Sequence, residues 1–186
     1  MNWVSFTIVT WLFLGLELGL RDALRLGDSS IGPSFVIPLL VYVTLSTPPR
    51  TATWAAAFLG VLLDLSWLLV RGSGPAGYVI GPYALGMIVS AQLVHAARGL
   101  VIRNHPIAIA VLAGLAAMVT HIVVVALLTL RGAGIDDLDF SPTGQLQARL
   151  FSSIYTGAVA LVLSFIFRQI EPVMGFHLDR YGRHVR

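Results

Sequence analysis

The chain contains no cysteine and no lysine. Without cysteine there is no disulfide, no thiolate metal site and no thiol nucleophile. All twelve basic side chains are arginine, which excludes a Schiff-base amine and a serine–lysine dyad. Charge of either sign is scarce, at 11% of the 186 residues. No polar stretch approaches the roughly 50 residues that a separate soluble domain needs. The net charge of +3 is too small and too dispersed for nucleic acid. Phosphate-cradling glycine loops and His-x-x-Glu-His zinc patterns are absent, and His95, His105 and His121 fall in separate segments.

What remains is apolar. The mean hydropathy is +0.83 and 56% of the residues are hydrophobic, the composition of an integral membrane protein. A helical span needs about 20 mostly apolar residues to cross ~30 Å of hydrocarbon. Six segments meet or approach this: residues 3–20, 31–46, 53–70, 78–97, 106–130 and 149–167. The expected architecture is an all-α, six-transmembrane-helix bundle over residues 1–170, followed by a basic tail at 171–186. The first segment has no basic n-region and no Ala-x-Ala site, so it reads as a retained span. The second is short and carries Pro33 and Pro38, with Pro48-Pro49-Arg50 closing it as a turn. No 20–50-residue period repeats.

Arginine placement orients the bundle. With six spans, one side carries Arg50, Arg98, Arg103, Arg168, Arg180, Arg183 and Arg186. The other carries Arg21, Arg25, Arg71, Arg131 and Arg149, together with the acidic run Asp136, Asp137 and Asp139. The bias places both termini in the cytoplasm. The tail reads as an anchor on anionic lipid or a dock for a cytoplasmic partner.

Four polar side chains interrupt the spans: Glu17, Asp64, Gln92 and His121. At ~1.5 Å per residue, Glu17, Asp64 and His121 lie about 21, 17 and 23 Å from the cytoplasmic ends, in the outer half of the membrane. An intramembrane carboxylate is costly and has to be paired or protonated. Asp64 is the strongest candidate, as a helix-pinning hydrogen-bond acceptor or part of an outward cavity. If the hydrogen bond is structural, asparagine should replace it. Glu17 sits in Gly15-x-Glu17-x-Gly19, beside a Gly-x-x-x-Gly packing face, close enough to the interface to be solvated at the headgroups. His121 is either hydrogen-bonded structure or a member of a cluster with the two carboxylates. Catalysis is not expected. An intramembrane aspartyl protease needs two aspartates, but Asp22 and Asp28 lie in a loop, and Gly72-Ser73-Gly74 reads as a turn.

The stretch 57–92 combines a Gly60-x-x-x-Asp64-Leu65 helix, a glycine-containing turn with Gly77, and a following helix with Gly86. In this, and in its length and span pattern, the chain resembles the MreD family of rod-shape-determining membrane proteins. The resemblance implies a non-enzymatic scaffold or regulatory subunit of the bacterial machinery that builds lateral peptidoglycan, without a cofactor. It implies a place in the cytoplasmic (inner) membrane and direct binding to MreC. Through MreC it implies contact with MreB, RodA and its transpeptidase. It also implies a fold similar to the S-components of energy-coupling-factor importers, and a substrate-binding S-component is the competing reading. Gly60, Asp64, Gly77, Gly86, Glu17 and His121 are the expected packing and pocket residues. The longer 131–147 loop and the basic tail depart from the family pattern.

Overall fold

The computed structural model describes residues 2–27, 31–66, 68–69, 77–100, 105–134 and 142–170. Six α-helices make up nearly all of them: α1 (Trp3–Leu20), α2 (Val36–Ser46), α3 (Pro49–Ser66), α4 (Pro82–Ala97), α5 (Pro106–Gly134) and α6 (Pro142–Ile170). A two-residue antiparallel ribbon joins α3 to α4, with β1 (Leu68–Leu69) pairing Tyr78 and Gly77 of β2 (Gly77–Tyr78). A single 3₁₀ turn, Arg98–Leu100, follows α4.

Four of these helices open on proline: Pro49, Pro82, Pro106 and Pro142. A first-turn proline gives up an N–H that has no helical partner anyway, and its fixed φ already suits the helix. α1 instead opens on Asn2, whose side chain accepts from the Val4 N–H at 3.0 Å.

α2 is the centre of the bundle. Every residue from Val36 to Leu45 is buried, and α2 packs against all five other helices. A helix apolar all round is a core helix. Stacked rings tie it to its neighbours: Tyr42 lies 4.8 Å from Phe167 of α6, which also stacks on Phe13 of α1 at 5.5 Å. Around it, α3–α4, α4–α5 and α5–α6 are antiparallel neighbours. Asp64 meets Gly81 while Thr53 meets Gln92, and His121 meets Ser153 while Gly114 meets Gly157. The outward faces are apolar. On α1 they include Val4, Ile8, Trp11 and Leu12, and on α6 Phe151, Ile154, Val162 and Phe165. So broad an exposed apolar surface requires lipid around it. Three helices are long and apolar enough to cross a membrane, α1, α5 and α6, and α2 is a shorter apolar helix.

Several expected boundaries shift. Residues 31–35, expected as the start of a span, are non-helical. Pro48-Pro49-Arg50 is not a plain turn, since α3 starts at Pro49 and ends at Ser66 instead of 70. Residues 77–78 are ribbon, and α4 waits for the proline at 82. α5 runs on to Gly134 and α6 starts seven residues before Arg149, so most of the expected 131–147 loop is helix. The polar run Thr143-Gly144-Gln145 hid that helix start behind Pro142. Gly72, Ser73, Gly74, Asp136, Asp137, Asp139 and the tail 171–186 lie outside the described residues.

Candidate functional site

The residues on which α2 and α4 begin, Phe35 and Gly81, make no side-chain capping bond. The first turn of a helix leaves N–H groups unsatisfied, and in a membrane no water supplies the acceptor. In both cases a carboxylate from the end of the preceding helix supplies it.

Asp64, 3% exposed, lies in the last turn of α3. Its Oδ2 accepts from the N–H groups of Gly81 at 2.8 Å and Ala84 at 3.2 Å, and its Oδ1 from Tyr83 at 2.9 Å. Gly81 makes this approach possible with φ at 131°, a conformation that only glycine adopts without strain. Gly60, one turn earlier, completes the fit. A methyl group there would fall on the Ala84 Cα and within 2.8 Å of the Tyr83 carbonyl oxygen. Gly86 does the same between α4 and α5, where a methyl would come within 2.9 Å of the Thr120 carbonyl oxygen. Beside it Ser90 Oγ lies 2.7 Å from Thr120 Oγ1. Gly77 has a different place, in the ribbon opposite Leu69. All three partners of Asp64 are donors, so asparagine would turn an NH₂ group on at least one of them. This geometry argues against the expectation that asparagine can stand in.

Glu17, 2% exposed, repeats the device one hairpin earlier. Its Oε2 accepts from the Ser34 hydroxyl at 3.0 Å and from the N–H groups of Phe35 and Val36, and its Oε1 from Arg21 at 3.3 Å. It is enclosed by protein, not solvated at the headgroups as its position near a span end suggested. The Gly15 and Gly19 face beside it is open instead of packed, with nothing within 4 Å of either.

His121, 3% exposed, joins neither carboxylate. Its Nδ1 lies 3.0 Å from Ser153 Oγ and 3.1 Å from the Arg149 carbonyl oxygen. A carbonyl only accepts, and Ser153 Oγ already donates to it at 2.8 Å. Nδ1 therefore carries a hydrogen. Gln92 Nε2 donates to Thr53 Oγ1 at 2.7 Å, toward the opposite ends of α3 and α4.

The three expected residues thus share one end of the bundle, and the N-terminal half of α6 connects them. Ser152 and Thr156 accept from the Gly32 and Ser34 N–H groups at 3.3 and 2.9 Å. Arg149 Nη1 donates to the Tyr83 hydroxyl at 2.8 Å, with its guanidinium carbon 5.7 Å from the centre of a Tyr83 ring. Ser34, Gly81, Tyr83, Ser153 and Arg149 were not read as site residues from the sequence. Gly81-Pro82 carried the signal, because a helix start with no Ser, Thr, Asp or Asn has to find its acceptor elsewhere. Among the described residues no group of three potential metal ligands forms.

A family model described as rod shape-determining protein MreD matches residues 1–170. No curated protein and no solved structure matches the chain.

Proposed function

From the premise that the chain belongs to the MreD family of rod shape-determining proteins, which the match over residues 1–170 establishes, we propose that it is a non-enzymatic membrane scaffold of cell elongation. In this reading it binds MreC directly and, through MreC, serves MreB, RodA and its transpeptidase in lateral peptidoglycan synthesis. The family match carries the reading, because it takes in all six described helices. The site chemistry supports it. Asp64 and Glu17 spend their acceptor capacity on helix starts, so their work is to hold a rigid surface, not to transform a substrate.

We read all six helices as spanning the cytoplasmic membrane, with both termini inside. α2 alone has 11 residues, about 16 Å at ~1.5 Å per residue. The five non-helical residues before it add up to about 16 Å at ~3.3 Å each, enough together for the hydrocarbon. Non-helical backbone at membrane depth is tolerated where protein encloses it. Residues 32–35 are buried, and Glu17, Ser152 and Thr156 satisfy their N–H groups. Arginine asymmetry sets the orientation, and residues 171–186 form a basic cytoplasmic tail.

The test is affinity purification of the C-terminally tagged protein from its own host in mild detergent, with mass spectrometry of the co-purifying chains. MreC with cell-wall synthases is the expected result. An ATPase pair with a coupling membrane subunit would overturn it in favour of an importer S-component.

A further inference from the structure

The two carboxylates at the capped end of the bundle are fully engaged, and Arg21 shares Glu17. Arg149 has no such partner. It is half-buried in α6, and among the described residues no carboxylate lies within ion-pair distance of it. Its guanidinium meets the Tyr83 hydroxyl and the Tyr83 ring. A guanidinium at a membrane boundary without a counter-charge is costly.

Tyr83 makes the arrangement more specific. Its hydroxyl oxygen accepts from Arg149, so its own hydrogen remains free, and no acceptor for it occurs among the described residues. The phenol O–H and the remaining guanidinium N–H groups therefore stand side by side as donors. The Gly81, Tyr83 and Ala84 N–H groups are closed off by Asp64, so the helix start does not compete for an incoming anion. His121 does not supply a negative charge either, since an imidazole is neutral or cationic.

We propose that Arg149 and Tyr83 form a binding site for a phosphate group. A planar guanidinium fork matches two phosphate oxygens, and a neighbouring phenol adds a third donor. The level in the membrane agrees. α6 has 29 residues, about 43 Å at ~1.5 Å each against ~30 Å of hydrocarbon. Arg149 lies about 10 Å from its start at Pro142, and helical side chains lean toward the N-terminus, here toward the headgroups. Tyr83, in the first turn of α4, is at the same level. The phosphate can belong to an anionic phospholipid or be free in solution. The inference goes beyond the scaffold reading and stands without any protein partner.

The experiment uses the purified full-length protein in phosphatidylcholine nanodiscs, titrated with phosphatidylglycerol, with retained lipid counted by native mass spectrometry. Arg149→Gln should weaken retention about tenfold, the worth of one charge-assisted hydrogen-bonded contact. Tyr83→Phe keeps the ring but loses the donor and should give a smaller loss. Arg50→Gln, an exposed arginine at the start of α3, should change nothing. Inorganic phosphate that displaces the lipid identifies a free-phosphate site, and Arg149-dependent retention that phosphate leaves intact identifies a lipid site. Equal retention by the wild type and Arg149→Gln, with no phosphate competition, overturns the proposal. If Arg149→Gln is not monodisperse, Arg149→Lys and Tyr83→Phe decide, and unchanged retention in both is the overturning result.

Discussion

Glu17 and Asp64 perform the same task in adjacent hairpins, yet they divide the labour of their oxygens differently. Glu17 reaches 17 to 19 residues ahead and gathers the Ser34, Phe35 and Val36 donors on Oε2, leaving Oε1 to Arg21. Asp64 reaches 17 to 20 residues ahead and spreads three backbone donors over both oxygens, with no cation beside it among the described residues. One carboxylate therefore couples a helix start to a charge. The other clamps two helices backbone to backbone. The tolerance of an intramembrane acid for its amide therefore depends on which oxygens its donors share.

The comparison breaks most visibly if Glu17 is removed altogether. Glu17→Leu leaves the three donors of Ser34, Phe35 and Val36 without their acceptor and removes the ion pair with Arg21, and should cost about 3–5 kcal/mol in mixed-micelle unfolding. A loss below that of the Asp64 variants would deny Glu17 its double role. Gly60→Ala comes next. It pushes α3 off α4 and drags Asp64 from its donors, for about 1–3 kcal/mol by the same measurement. The amide pair sharpens the contrast. Asp64→Asn must place NH₂ against an N–H and should cost about 1–2 kcal/mol. Glu17→Gln can keep its oxygen on α2, loses only the pairing with a partly exposed Arg21, and should cost less than about 1 kcal/mol. The reverse order would mean that the oxygens are shared otherwise than described. Gly19→Ala is the smallest, within about 0.5 kcal/mol of wild type by thermal unfolding, because nothing packs on that face inside the chain.

The sequence carried the all-helical membrane character, because hydropathy and the length of apolar runs report it directly. It also picked out Glu17, Asp64 and His121, since a polar side chain in an apolar run stands out. It did not disclose their partners. Those are mostly backbone N–H groups, which every residue but proline has, so no residue type marks them. Gly15 and Gly19 show the converse. Their spacing is that of a packing face, but α1 presents it outward, and spacing does not say which side of a helix meets a neighbour. Gly60 and Gly86 lie on faces that do meet one. Arg149 was read only as a topology charge because the polar run Thr143-Gly144-Gln145 made the helix begin too late.

The bonds from residues 32 and 34 to Ser152 and Thr156 join chain positions 120 and 122 residues apart. Ser152 and Thr156 lie on α6, which leaves the ribosome well after the first hairpin. When the first hairpin enters the bilayer, two of its buried N–H groups therefore have no acceptor yet. Insertion of α2 is left unfinished until translation delivers α6. A product lacking α6 would therefore leave the Gly32 and Ser34 N–H groups without their acceptors, a defect in the first hairpin that the finished chain does not have.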